Sequence, residues 1–110
     1  MSVLIGNYTF CGVYRSTDEM DNYSGVYAIL NEKGGKIYIV DVDESAKVRT
    51  SIEKHGREPC WRANRKGALA FAVYWTSNRD QQERKAIEQE IRGQYSIPCG
   101  EHFKPQSGGQ

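Results

Sequence analysis

The chain has 110 residues, of which 38% are hydrophobic and 26% are charged, as in an ordinary globular protein. These values exclude a disordered chain, and the length suits one domain over residues 1–110. No apolar run approaches the ~20 residues that a membrane span needs. The first residues lack the basic and then apolar order of a signal peptide. We therefore expect a cytoplasmic protein without membrane contact.

The three cysteines, Cys11, Cys60 and Cys99, contain no CxxC pair, and their number is odd. We expect reduced thiols rather than a disulfide, in keeping with a reducing compartment. A zinc site is an alternative, although its ligand spacings match no common zinc finger. Its ligands would be His55, Cys60, Cys99 and His102.

Positive charge is concentrated in the middle of a chain whose net charge is only +1. Residues 47–66 hold seven Lys or Arg against two Asp or Glu, and 56–67 are expected to form a basic loop. Basic residues interleaved with an aromatic side chain suit a phosphate backbone and a stacked base. A solvated surface loop is the alternative interpretation. The candidate nucleic-acid contacts are Lys36, Arg57, Trp61, Arg62, Arg65 and Lys66.

Strand patterns come first along the chain. Residues 8–14 are aromatic and β-branched and 15–24 are polar, so we expect a strand followed by a loop. Residues 25–31 and 36–42 again have strand character. Glycines within 32–35 supply the turn that joins them as a hairpin.

Two helices and one more strand are expected after the hairpin. The spacing of Val48 and Ile52 predicts a helix over 44–55. The apolar run 68–75 has the length of a buried strand, and 79–95 has the pattern of a second helix. An α/β (α+β) fold is the economical arrangement, with one antiparallel sheet of three to four strands flanked by two helices.

Parts of the hairpin resemble a known motif. Residues 25–27 (Gly-Val-Tyr) and 38–40 (Tyr-Ile-Val) resemble the GIY…YIG hairpin of the GIY-YIG nuclease family, with the two tyrosines eleven positions apart. The second helix, with Glu88, resembles the helix that carries the family's metal-binding glutamate. The resemblance covers about residues 23–101 and implies a GIY-YIG-like fold. The polar tail 105–110 is expected to be disordered.

Two alignments to the family compete. In the first, Val40 stands at the glycine of YIG and Arg49 stands near the family's helix arginine. In the second, residues 42–45 match a V-G-E-S variant of the motif. That alignment places Asp43 at the glycine and Ser51 at the arginine. The second alignment matches more residues without a gap, and we prefer it slightly.

The resemblance implies metal-dependent hydrolysis of a phosphodiester in nucleic acid, with DNA favoured over RNA. Tyr27 and Tyr38 would position or deprotonate the attacking water. Glu88 would bind Mg²⁺ or Mn²⁺, and Arg49 would offset charge on the phosphate. His55 would contact phosphate or carry a proton. The candidate catalytic residues are therefore Tyr27, Tyr38, Arg49, His55 and Glu88, with Glu88 as metal ligand.

Ordinary packing explains the same residues differently. The tyrosines could be a cross-strand pair, and Glu88 could form helix-surface ion pairs with Arg84 and Arg92. Asp43 and Ser51 replace residues that the family's chemistry needs. They favour a second hypothesis, a degenerate domain that binds nucleic acid or a protein partner without cutting.

Overall fold

The computed structural model describes residues 2–65 and 67–100, which form one antiparallel sheet and three helices. The strands are β1 (Ser2–Ile5), β2 (Tyr8–Tyr14), β3 (Gly25–Lys33), β4 (Lys36–Ser45) and β5 (Ala68–Trp75). The helices are α1 (Val48–Glu53), α2 (Glu58–Ala63) and α3 (Gln81–Gln94). A short 3-10 turn at Thr17–Glu19 lies between β2 and β3.

Strand β3 lies inside the sheet, whose order is β1-β2-β5-β3-β4. It pairs with β4 on one side and β5 on the other, and its residues 25–31 are all buried. The β3–β4 turn is made by Gly34 and Gly35, whose φ angles are 62° and 80°. A tight turn with positive φ at both central positions favours glycine at each.

Alternate residues of β3 contribute to two hydrophobic cores. Val26 and Leu30 belong to the first core, together with Ile91 of α3. Tyr27 belongs to the second core, together with Trp61 of α2. The period of two residues in a strand therefore sends Tyr27 to the face that the short helices cover.

The predicted strands and the α+β class are confirmed. Residues 8–14, 25–31, 36–42 and 68–75 all lie in strands. The sheet has five strands rather than the expected three to four, because residues 2–5 also form a strand and pair with β2.

The helices differ from the prediction mainly in the middle of the chain. A helix was expected over 44–55, but β4 continues to Ser45, which pairs with Gly25 of β3, and α1 begins only at Val48. Pairing with the neighbouring strand prevails there over the helical pattern. The basic segment 56–67, expected to be a loop, contains α2.

Helix α3 confirms the prediction over 79–95 to within two residues at its start. Its cap is Asp80, which accepts a hydrogen bond from the Glu83 N–H at 2.9 Å, while the Glu83 carboxylate accepts one from the Asp80 N–H at 3.3 Å. This reciprocal capping box satisfies two backbone donors. None of the helices in the described ranges is long and apolar enough to cross a membrane.

The expectation of reduced thiols is wrong for two of the three cysteines. Cys60 of α2 is joined to Cys99 by a disulfide, whereas Cys11 is an exposed thiol. Bridging depends on spatial proximity, here a Cα–Cα distance of 5.9 Å, which sequence spacing does not give. The disulfide removes both cysteines from the alternative zinc site. His102 and the tail 105–110 lie outside the described residues.

Candidate active site

A buried aspartate on β4 gathers charged side chains from other parts of the chain. Asp41 is 0% exposed, and its carboxylate accepts hydrogen bonds from three side chains. The donors are Arg57 Nε at 2.8 Å, Trp61 Nε1 at 2.7 Å and Arg92 Nη2 at 2.8 Å. A carboxylate is tolerated in a protein interior only when it is paired in this way. Through these hydrogen bonds Asp41 links β4 to α2 and α3.

Gly100 packs against the same charged group. Its φ is 91°, and a Cβ at this position would collide with Arg92 Nη2 and lie 2.7 Å from Asp41 Oδ1. The preceding carbonyl, of Cys99, accepts a hydrogen bond from Arg92 Nη1 at 3.0 Å. Backbone conformation and space both require glycine here.

Asp43 lies two residues further along β4 and binds His55 and Arg57. Its Oδ2 is 3.1 Å from His55 Nε2 and accepts from Arg57 Nη2 at 2.8 Å. The other ring nitrogen, His55 Nδ1, accepts from the backbone N–H of Arg57 at 3.1 Å. Because Nδ1 accepts a hydrogen bond, the ring proton directed at Asp43 is the one on Nε2.

These contacts set the protonation state of Asp43. Burial would raise the pKa of its carboxyl, but hydrogen bonds from His55 and from the Glu44 backbone N–H, together with the charge of Arg57, outweigh it. The pKa of Asp43 is lowered to about 2. Asp43 is therefore a fixed negative charge at neutral pH.

Glu88 of α3 has the opposite character. The side chain is buried, and its Oε2 accepts from Arg92 Nε at 3.2 Å. Its Oε1 is also buried and has no hydrogen-bond partner within the described ranges. Burial, followed by the negative charge of Asp43, raises the pKa of Glu88 against the opposing effect of Arg92.

The charges in this group do not balance. Two guanidinium groups, Arg57 and Arg92, face three carboxylates, Asp41, Asp43 and Glu88. Counted as ionised, the three carboxylates exceed the two guanidinium groups by one charge. A buried excess of negative charge, next to an unpartnered carboxylate oxygen, favours the binding of a cation.

A pocket of about 360 Å³ opens beside Asp43 on the face of the sheet covered by α1. Its lining residues come from β3, β4 and the segment around α1. They are Tyr27, Asp43, Glu44, Thr50, Ser51, Lys54, His55 and Gly56. Lys54 contributes a positively charged side chain to this lining.

Tyr27 forms the sheet side of the pocket. It pairs with Asp43 across the β3–β4 ladder, and its ring meets that of His55 edge to face at a centroid distance of 6.1 Å. Burial raises the pKa of the Tyr27 hydroxyl strongly, and Asp43 and Glu88 add to this while Arg57 opposes it. The Tyr27 hydroxyl is therefore protonated at neutral pH.

Glu44 lines the pocket, but its carboxylate forms an ion pair with α3. Its Oε1 accepts from Arg84 Nε of α3 at 2.8 Å, and both side chains are largely buried. The helix-surface pair expected between Glu88 and Arg84 is therefore replaced by a pair between Arg84 and β4. The expected pair with Arg92 does form, although in the interior.

Among the predicted catalytic residues, Tyr27 and His55 line this pocket, and Glu88 lies close enough to raise the pKa of Tyr27. Tyr38 does not join them: it pairs with Asn31, four residues along β3 from Tyr27. Four strand residues span about 13 Å. Arg49 lies in the first turn of α1 and is not part of the pocket lining.

The predicted nucleic-acid contacts divide into internal and external residues. Arg57 and Trp61 donate hydrogen bonds to the buried Asp41. Arg62 is exposed and pairs with Glu58 at 2.6 Å. Arg65 Nε donates to the Gly67 carbonyl at 2.6 Å. Lys36 is exposed at the start of β4, and Lys66 lies outside the described residues.

Arg92 is the main residue that sequence reasoning missed. It bonds to Glu88, to Asp41 and to the carbonyls of Val42 and Cys99. The sequence shows only its spacing of four residues from Glu88, which is equally typical of a solvated helix surface. The aspartates in an otherwise apolar strand were the available signal that a buried cation lies opposite.

Within residues 2–65 and 67–100, no group of three or more His, Cys, Asp or Glu side chains is arranged to hold a metal ion. Comparison of the chain with protein-family profiles, with characterised proteins and with solved structures gives no match. A functional proposal consequently depends on the resemblance of the motif and on the geometry of the pocket.

Proposed function

We propose that this domain is a nuclease of the GIY-YIG type, which hydrolyses nucleic-acid phosphodiester bonds slowly with a divalent metal ion. One observation carries the proposal. Tyr27 and His55, assigned catalytic roles from separate parts of the sequence, line one pocket, and the charge of Glu88 acts on Tyr27. The rings of Tyr27, on β3, and His55, after α1, meet edge to face at this pocket.

Mg²⁺ or Mn²⁺ fits the residues present. Glu88 offers a buried oxygen without a partner within the described residues, and the surrounding group has one more carboxylate than guanidinium groups. When bound, the ion would polarise a phosphoryl oxygen and offset the charge that develops on it. Oxygen ligands suit both cations, and a site with one carboxylate needs the substrate phosphate to complete its coordination shell.

The side chains around the pocket have separable tasks. Tyr27, being protonated, can hold an attacking water by a hydrogen bond but cannot remove its proton. Lys54 lines the pocket three residues after Ser51, on the same side of α1, and can bind the phosphate that the family's arginine would contact. His55 positions Asp43 through the proton on Nε2.

Slow cleavage follows from the charge of Asp43. The carboxylate lines the pocket and repels a phosphate group. It also binds Arg57, so this guanidinium is not available to substrate. In the pocket lining, Lys54 then supplies the positive charge that can bind the phosphate.

A plasmid-nicking assay tests the proposal. We expect slow nicking that requires Mg²⁺ or Mn²⁺ and is lost in Glu88→Ala, with unchanged activity in the matched variant Glu90→Ala. Glu90 lies on the exposed face of the same helix and binds Tyr8 at 2.6 Å. Equal nicking by both variants would attribute the activity to something other than this site.

A second candidate is a degenerate domain that binds nucleic acid without cutting. The observation that favours it is the ion pair of Asp43 with Arg57, which occupies the pocket wall. The double variant Asp43→Gly, Ser51→Arg distinguishes the two candidates, because it removes the repelling charge and adds the family's cation. A nuclease should then cut about 10²–10³ times faster. A complete lack of cleavage by the parent and by the double variant would favour the binding domain.

A further inference from the structure

A second pocket, of about 340 Å³, lies on the β3–β4 hairpin away from the candidate active site. Its walls come from both hairpin strands, from the end of α2 and from the segment after α3. The lining residues include Asn31, Tyr38, Val40, Asn64, Ser96 and Pro98. None of these residues lines the first pocket. The volume is at the lower end of the range for ligand pockets, about 300–1,000 Å³, and suits a single ring system.

Asn31 gives this pocket a defined polar group. The side chain is 1% exposed, and its Nδ2 donates to the Asn64 carbonyl at 2.8 Å, which fixes the orientation of the amide. Its Oδ1 is a buried acceptor without a hydrogen-bond partner in the described part of the chain. A buried acceptor of this kind favours a ligand that brings an N–H or O–H donor.

The rest of the wall is partly apolar. Tyr38 is 43% exposed at the rim, and Val40 and Pro98 supply apolar surface. An aromatic ring beside apolar walls, with one fixed acceptor, suits a planar heterocycle that carries an N–H group. All four nucleobases, when unstacked, meet this description.

Cations close to the rim suit the phosphates attached to such a base. Lys36 lies two residues before Tyr38 and therefore on the same face of β4. Arg65 follows directly after Asn64 and is exposed. A stacking ring with basic residues beside it is the usual arrangement for single-stranded nucleic acid.

We propose that this pocket binds an unstacked nucleobase, with Asn31 Oδ1 accepting from the base and Tyr38 stacking on it. The inference deepens the proposed nuclease function, since it assigns to the same protein a base-binding position about 13 Å from Tyr27 along β3. It also gives Tyr38 a role in substrate binding rather than in catalysis.

The test measures binding in EDTA, where no metal-dependent cleavage occurs. The probes are two fluorescent single-stranded DNAs of six nucleotides. One carries all its bases, and the other has abasic sites throughout. We expect the base-bearing strand to bind more tightly than the abasic strand. Tyr38→Ala should remove about five- to hundredfold of affinity, the usual effect of one lost stacking contact.

Ser96→Trp is the blocking variant, because Ser96 is an exposed residue of the pocket lining and the added indole fills the pocket without entering a core. Gln82→Trp is its matched control, since Gln82 is exposed on α3 and does not line the pocket. We expect Ser96→Trp to bind both strands alike and Gln82→Trp to behave as the parent. Equal affinity of the parent for the two strands, or equal behaviour of the two tryptophan variants, would overturn the inference.

A nucleoside titration followed by the side-chain amide resonances of Asn31 distinguishes a free base from a base within a strand. Saturable shifts with nucleoside alone assign the pocket to free nucleosides as well. Shifts only with the strand show that the phosphates are also needed. If nicking fails while base binding in EDTA persists, the nuclease proposal fails and this inference stands. If nicking occurs without any contribution of the bases, only this inference fails.

Discussion

His55 donates its Nε2 proton to Asp43 Oδ2 across 3.1 Å, and this bond joins the end of α1 to the last part of β4. The direction of the bond is fixed by the other side of the ring, where Nδ1 accepts from a backbone N–H. His55 thus stabilises an ionised aspartate beside the candidate active site. The pair explains both the shape of the pocket wall and its negative charge.

The first prediction concerns the pH dependence of stability. The pKa of Asp43 in the folded protein, about 2, lies below the ordinary value of its carboxyl, so the stabilisation is complete above that ordinary value and is lost as pH falls towards 2. Asp43→Asn should lower the free energy of unfolding at pH 7 by about 1–2 kcal/mol, after allowance for solvent screening. Urea unfolding should show the difference from the parent shrinking as pH falls from about 4 towards 2. Asp21→Asn, at an exposed loop position, is the control and should show no such trend.

The second prediction concerns Glu88 and Mg²⁺. Because the pKa of Glu88 is raised, its ionisation opposes folding as pH rises above the ordinary value of a glutamate. Glu88→Gln should therefore be more stable than the parent at pH 7, since the amide oxygen can still accept from Arg92. Thermal unfolding should then show that Mg²⁺ stabilises the parent alone. A concentration ten times the dissociation constant adds about 1.4 kcal/mol. Equal stabilisation of both proteins by Mg²⁺ would contradict the assignment of the ligand.

The third prediction concerns Lys54 as the phosphate contact. Lys54→Ala should lower the rate of Mg²⁺-dependent nicking about 10- to 100-fold, because the pocket loses its cationic side chain. Lys47→Ala removes an exposed lysine just before α1 and should leave the rate unchanged. A similar loss in both variants would indicate a general electrostatic effect rather than a specific contact.

The fourth prediction concerns the disulfide. Cys60 and Cys99 are separated by 39 residues, and opening a loop of this length lowers the free energy of unfolding by about 3–4 kcal/mol in the chain-entropy account. Cys60→Ser should show this loss in urea unfolding under oxidising conditions, and Cys11→Ser should not. Thiol titration of the denatured, unreduced protein should find one reactive cysteine. Three reactive cysteines would show that the bridge is absent in solution.

The fifth prediction separates binding from stability within the basic segment. Arg62 and Arg65 are exposed, so their joint replacement by Ala should weaken binding to DNA with little effect on unfolding. Each lost phosphate contact should reduce the slope of log K against log salt by about 0.7–0.9. Arg57→Ala should instead destabilise the fold by about 3–5 kcal/mol, because it leaves Asp41 and Asp43 short of a partner. Unchanged salt dependence after loss of both exposed arginines would exclude this segment as the binding surface.

The sequence by itself determined the elements whose apolar pattern is local. The run 68–75 is a strand because it is apolar throughout and has the length of a buried strand, and 81–94 is a helix because its apolar residues recur at helical spacing. The resemblance also selected Tyr27, His55 and Glu88 before any contact was known. Composition indicated a basic segment in the middle of the chain. It did not indicate which of its Lys and Arg side chains form ion pairs inside the fold.

Only the tertiary structure decided how these residues are used. Pairing with β3 extended β4 through Ser45 and so shortened α1, because cross-strand hydrogen bonds replaced those of a helix. Arg92 and Asp41 form an ion pair in the interior although they lie 51 positions apart. Such an attraction leaves no periodic signal in the sequence. The closure of Cys60 on Cys99 likewise depends on folding of the intervening chain. Charges and thiols pair through space, whereas hydrophobic patterns repeat along the chain, and only the second kind of information can be read from one sequence.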